Sequence, residues 1–289
     1  MRFEFVRMRP GDHLGWAFAG AREFAALATS CLLEGAALGE RLMYVAEHPD
    51  PSAVAALAGI ASKDDLKVAS IGDVYGTSGI VDAETQVDCF AAELDAALAV
   101  GYSGLRVVGD VTPLVTGEAA MAAWRRYELL ADQFTAVHQV TALCAYDGQR
   151  LGQARLAELA ALHPLSSASG PVPPFRLFFQ GRMLRLAGPV TTVSLARLRR
   201  ALAELPAGTP AIMDLGGSAT GPADQVAFDQ AASDQAGTGQ RGADAEVIAM
   251  LHDLVAGGTP VTVLGPAAML AAVRAAVPPP GVHLDLRQY

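Results

Sequence analysis

Residues 84–110 run ETQVDCFAAELDAALAVGYSGLRVVGD, and the period of their apolar side chains changes once along the way. From 84 to 100 apolar residues recur three and four positions apart, as on one face of a helix, and Gly101 stops the run. After the turn Tyr102-Ser103-Gly104 comes 105–109, a short apolar strand followed by Asp110. The same switch recurs on both sides of this stretch. Upstream, a strand at 14–18 follows Asp12-His13, and a helical pattern over 21–38 ends at Gly39 and leads into a strand at 41–46. A helix at 51–60, with Pro51 at its start, precedes a strand at 66–70. Downstream the spacing predicts a helix at 118–136, a strand at 140–146 and a helix at 151–162. Strands alternating with helices in this way predict βαβ units, hence an α/β fold with a parallel sheet covered on both faces.

Outward from this block, 165–174 reads Leu-Ser-Ser-Ala-Ser-Gly-Pro-Val-Pro-Pro, without periodicity, and marks a domain boundary. The expected organisation is a first domain over 1–165, a linker at 166–174 and a smaller α/β domain over 175–289. The 289-residue length favours two domains over one. The second domain is expected to open on a hairpin, 175–179 and 183–187, around Gln180-Gly181-Arg182. A helix at 194–205 capped by Ser194 and a strand at 211–215 follow. Then come a polar stretch at 224–242 read as a mobile loop, a helix at 243–255, a strand at 261–264, a helix at 267–276 and a strand at 282–286.

The net charge of −9 argues against nucleic acid as a partner, because phosphate neutralisation needs clustered Lys and Arg. Residues 1–165 carry 12 basic and 21 acidic side chains and the remainder nine of each, so the whole excess belongs to the first domain. Cys31, Cys89 and Cys144 are widely spaced and odd in number, as expected of reduced core thiols in a cytoplasmic protein. Residues 1–10 lack the apolar core of a signal peptide, and the uncharged run 254–273 is broken by Gly257-Gly258-Thr259-Pro260 and Gly265-Pro266, so no membrane span is expected.

Motifs for nucleotide and acyl chemistry are missing. Neither Lys63 nor Lys67 follows a glycine, which removes the Walker loop. Gly237-Thr238-Gly239-Gln240-Arg241-Gly242 has the G-x-G-x-x-G spacing but no apolar strand before it. Gly76-Thr77-Ser78-Gly79 and Gly101-Tyr102-Ser103-Gly104 miss the nucleophile-elbow spacing. The histidines His13, His48, His138 and His163 are too dispersed to define a metal site by spacing, and neither a metal nor another cofactor is expected. Parallel sheets bind ligands at the carboxyl ends of their strands. There the candidates are His13, Trp16, Arg106, Asp110, the helix pair Tyr127-Glu128, Tyr146 and Asp147, which would converge on one crevice if their strands are neighbours. The plainer reading of Asp110 and Asp147 is that they cap the turns that follow.

Six pieces in order carry a family resemblance. They are Gly11-Asp12-His13-Leu14-Gly15-Trp16; Leu33-Glu34-Gly35 with Gly39-Glu40-Arg41-Leu42-Met43-Tyr44-Val45; Gly101 through Asp110; Tyr127-Glu128; Leu143-Cys144-Ala145-Tyr146-Asp147; and His163-Pro164. Together, over about residues 8–165, they resemble the MEDS domain, the methanogen/methylotroph sensory domain. The resemblance implies a RecA/KaiC-like parallel sheet that lacks a P-loop, with Phe18-Ala19-Gly20-Ala21-Arg22-Glu23 standing where Gly-Lys-Thr would be. It implies sensing of small molecules or signals rather than catalysis. Gly15 stands where a Cys is common in the family, and Val111-Thr112-Pro113 replaces a Met-Thr-Trp run. Residues 175–289 are similar in layout to a STAS domain, the fold of anti-sigma-factor antagonists. That likeness implies partner binding around Asp214, Ser218, Thr220 and Asp224, with Pro222-Ala223-Asp224 in the place of the phosphorylated turn.

The expectation is a non-enzymatic cytoplasmic sensor. A small ligand near His13, Arg106, Asp110, Tyr127 and Asp147 would bias a STAS-like module that meets an anti-sigma factor or a sensor kinase. The competing expectation is a nucleotide-dependent or acid/base enzyme using Asp110 and Asp147.

Overall fold

Alternation along the strands decides which helix covers which face of the first sheet. In β1 (His13–Phe18), Leu14, Trp16 and Phe18 point to one core, while His13 points to the other. In β4 (Leu105–Asp110), Leu105 and Val107 join the second core and Val108 the first. The same two-residue period holds in β2 (Arg41–Ala46) and β5 (Val140–Asp147). The computed structural model describes residues 7–59, 65–167, 170–173, 175–188, 192–206, 209–214, 240–256, 259–265, 267–276 and 284–288. The chain divides into two units, Met1–Pro171 and Val172–Tyr289.

In the first unit six strands lie in the order β3-β2-β4-β5-β1-β6, every pair parallel. β3 is Leu66–Ser70 and β6 is the two-residue strand Leu165–Ser166. One face is covered by α1 (Ala21–Ala37) and α2 (Pro51–Ala58), which supply Phe24, Leu27, Leu32 and Leu57 to that core. The other is covered by α3 (Ile71–Tyr75), α4 (Ala83–Ala99), α5 (Glu118–Thr135) and α6 (Gln153–Ala160), with Tyr75, Phe90, Trp124 and Leu159 buried there. Local chemistry starts these helices where it should. Asp50 caps α2 ahead of Pro51, Ser70 and Asp73 form a capping box on α3, and Asp82 accepts from Thr85 N at the start of α4.

The second unit holds a five-stranded mixed sheet in the order β11-β10-β9-β8-β7. β7 (Arg176–Gln180) and β8 (Met183–Ala187) form an antiparallel hairpin; β9 (Ala211–Asp214), β10 (Val261–Leu264) and β11 (Leu284–Arg287) add in parallel. Helices α7 (Thr192–Leu202), α8 (Gln240–Ala256) and α9 (Ala267–Ala276) complete it. The α/β class of both units matches the sequence pattern. Some details differ. His13 is the first residue of β1 rather than ahead of it, Ser194 lies within the first turn of α7 instead of capping it, and β6 carries the first sheet one strand further. Most of the polar stretch 224–242 lies outside the described residues. Among the described residues no helix is long and apolar enough to cross a membrane.

Candidate functional site

Arg106 is fully buried on the α1/α2 face. Its Nε donates to Glu40 Oε2 at 2.5 Å, Nη1 to Glu34 Oε2 at 3.0 Å and to the Cys31 carbonyl at 3.2 Å, and Nη2 to the Met8 carbonyl at 3.1 Å. Glu40, also buried, accepts from Thr141 Oγ1 at 2.9 Å. The guanidinium is thus spent on clamping the N-terminal segment, α1 and the entry to β2 onto the sheet. Trp16 is buried on this same face.

A different polar cluster occupies the opposite face, under α5. Along that helix Met121, Trp124, Glu128, Asp132 and Thr135 are buried at three- and four-residue spacing, so two carboxylates ride on its apolar stripe. Glu128 meets His13 Nε2 at 3.1 Å and His163 Nε2 at 3.3 Å through Oε2, and accepts from Tyr146 Oη at 2.5 Å through Oε1. His13 Nδ1 lies 3.0 Å from Asp132 Oδ1, and Cys144 Sγ lies 3.5 Å from His13 Nε2. His163 follows α6, and its Nδ1 lies 2.8 Å from the Leu159 carbonyl. A carboxylate and a carbonyl can only accept, so both Nδ1 atoms carry a proton. His163 fits because residue 15 is glycine: a Cβ there would stand 2.8 Å from its Nδ1. The two imidazole rings lie 4.3 Å apart.

This environment sets the charges. Burial alone would raise the Glu128 pKa, but the charge of His163 and the hydrogen bonds from both histidines hold its carboxyl well below the usual range. For His13 burial pulls the pKa down, and the contacts with Asp132, Cys144 and Glu128 override it and push it well above the ordinary imidazole value. The same contest, won mainly by the charge of Glu128, raises His163 to about 9. Burial raises Tyr75, Tyr127 and Tyr146, which stay neutral phenols. Beside the cluster lies a cavity with about 30 Å³ of room for the centre of a water-sized molecule, lined by His13, Tyr75, Phe90, Tyr127, Phe134 and Cys144 among others. Apart from Thr135 the rest of its wall is aliphatic, with Val87, Val107 and Val140.

The sheet therefore divides the residues expected to share one crevice. His13, Tyr127, Glu128 and Tyr146 come together, whereas Arg106 and Trp16 lie behind the strands. The physical reason is the two-residue period, which turns Arg106 and Val107 to opposite faces. Asp110 and Asp147 stand at the ends of β4 and β5 and are taken up by turns. Asp110 Oδ1 accepts from Thr112 N at 3.1 Å and Thr112 Oγ1 at 2.6 Å, and Asp147 Oδ1 from Gln149 N at 2.8 Å. Sequence reasoning missed Glu40, Asp132, Cys144 and His163 as members of these networks. Acids at 128 and 132, in register with Met121 and Trp124, were the available signal.

After β1 the chain turns at Gly20, whose φ of 81° suits glycine, into the N-terminus of α1. Glu23 in the first turn accepts from Ala19 N at 2.9 Å, which places a negative charge at the start of α1, where a phosphate would be repelled. Titrating ATP calorimetrically to millimolar concentration is expected to give no binding heat; saturable heat would overturn that.

The family model described as the methanogen/methylotroph, DcmR sensory domain, MEDS, matches residues 12–164. The chain belongs to the MEDS family. The matched MEDS segment begins just before β1 and ends at Pro164, so it contains the Glu128 cluster, the cavity and all of the Arg106 clamp except Met8. Searches of curated proteins and of solved structures gave no significant match. Beyond the MEDS domain, Asp214 closes β9 beside Leu264, and Ser218, Thr220 and Asp224 lie outside the described residues.

Proposed function

We propose that the MEDS domain is a non-enzymatic sensor of a small, mostly apolar molecule, held in the cavity between β4, β5, α4 and α5. The observation that carries this reading is an apolar pocket, of a size for very few heavy atoms, with His13 and Cys144 among its lining residues. The sheet, six parallel strands with a glycine turn but no lysine after β1, supports a RecA/KaiC-like ancestry in which the nucleotide site is lost. The second unit, an antiparallel hairpin followed by parallel strands, supports a STAS-like docking module. In this reading it passes the ligand signal to a protein such as an anti-sigma factor or a sensor kinase.

Trp124 makes the test direct. Its ring lies 4.6 Å from that of Tyr127 and 5.7 Å from that of Tyr75, both on the cavity wall, while Trp16 is on the other face of the sheet. In a Trp16→Phe background, short-chain alcohols and haloalkanes are expected to change Trp124 emission saturably. Ala142→Leu, which fills the cavity from β5, is expected to abolish the response without unfolding the domain. Emission that never saturates, or that responds equally in the filled variant, would sink the proposal.

A further inference from the structure

The side chains of His13, Glu128, Cys144 and His163 come from β1, α5, β5 and the turn after α6, yet one donor atom from each lies within 4.8 Å of all the others. All four are buried. We propose that these four side chains bind one divalent transition-metal ion, and that zinc is the ion their chemistry suits best. The proposal does not rest on the ligand-sensing reading, since a metal can be bound whether or not the cavity takes a ligand.

Donor type is the first argument. Two imidazoles, a thiol and a carboxylate are the ligand kinds zinc takes in four-coordinate sites. Spacing is the second. With metal–N and metal–O bonds of about 2.0–2.1 Å and metal–S of about 2.3 Å, the edges of a tetrahedron are about 3.3 Å between N and O and about 3.5 Å where sulfur is one end. The cluster gives 3.1 and 3.3 Å for the two N···O edges, 3.5 Å for His13 Nε2 to Cys144 Sγ, and 3.9 Å for Sγ to Glu128 Oε2. Small shifts bring all of these onto one centre.

The surrounding hydrogen bonds are the third and most specific argument. A metal-binding imidazole needs its far nitrogen protonated and held, so that the lone pair points at the ion. His13 is held by the Asp132 carboxylate and His163 by the Leu159 carbonyl, which leaves both Nε2 atoms facing Glu128 Oε2. Tyr146 fixes the other oxygen of Glu128, leaving Oε2 as the inward donor. These ties satisfy buried polar atoms, and they do so in a way that leaves the remaining atom of each group aimed at one point. His13 and Cys144 also line the cavity, so the ion would lie at its wall.

The test uses the full chain, purified without chelator. One equivalent of zinc is expected to survive dialysis, and X-ray absorption of that zinc form is expected to show one sulfur and three nitrogen or oxygen neighbours. Cobalt added to the metal-stripped chain is expected to give the bands of a tetrahedral ion with a thiolate charge-transfer band. Cys144→Ser is expected to remove that band, Cys31→Ser and Cys89→Ser to keep it, and His163→Ala to weaken cobalt affinity at least 100-fold. Zinc well below one equivalent after reconstitution, absorption data without sulfur, or a charge-transfer band that persists in Cys144→Ser would each overturn the site. The absorption measurement on unaltered protein decides the matter even if a variant fails to fold. Failure of the alcohol and haloalkane response with zinc bound would remove the sensing proposal and leave this one standing.

Discussion

Replacing Arg106 by methionine is expected to destabilise the chain by about 3–5 kcal/mol, a large share of the 5–15 kcal/mol that holds a typical domain together. The reason is what remains behind. Glu40 and Arg106 are both fully buried, and methionine leaves the Glu40 carboxylate with Thr141 as its hydrogen-bond donor and no counter-charge. It also frees the carbonyls of Met8 and Cys31 from the donors they now have. Guanidinium unfolding followed by circular dichroism measures the loss. The double variant Arg106→Met with Glu40→Gln is expected to recover at least half of it, because the stranded charge is gone. A single variant that loses less than about 1 kcal/mol, or a double variant no better than the single, would show that the clamp is not what holds α1 to the sheet.

Much of this architecture is legible in residues 84–110, because the change from a helical period to a strand period is local and Gly101 punctuates it. The assignment of faces is another matter. The strand 105–109 says that Arg106 and Val107 diverge, but not which face α5 will cover; that depends on strand order, a long-range property. The convergence of His13 with Glu128 is expected from the strand ends, but the reason for it is the alternation within β1, of which His13 is the first residue. Glu40 was hidden for a similar reason. Its partner Arg106 lies 66 positions away, and nothing around Gly39-Glu40-Arg41 distinguishes a buried acid from an exposed one. Asp110 and Asp147 show the opposite case, where the local rule of carboxylates in turns was sufficient. The two-residue β6 has too few residues to carry a periodic signal at all.

Gly15 joins these threads, and its replacement by alanine is expected to destabilise the first unit by about 2–4 kcal/mol, combining overpacking with a lost buried hydrogen bond. A Cβ at residue 15 would stand 2.8 Å from His163 Nδ1 and 2.9 Å from its Cγ, near the root of a ring that has no free end to bend away. The ring must turn, and in turning it gives up the Leu159 carbonyl and its approach to Glu128. Removing the ring should relieve the clash, so Gly15→Ala with His163→Ala is expected to be less destabilised than the sum of the two single variants. Thermal unfolding of the four proteins in the cycle measures that coupling; strict additivity would show that the glycine is not there for the histidine. Gly15→Ala is further expected to lose zinc retention even where it stays folded, because the displaced imidazole no longer aims Nε2 at the other three donors. A cysteine at residue 15 would carry the same Cβ and meet the same ring. A side chain at 15 would thus compete with the imidazole of His163 for one space, whereas Cys144 reaches His13 from across the cluster, Sγ to Nε2 at 3.5 Å.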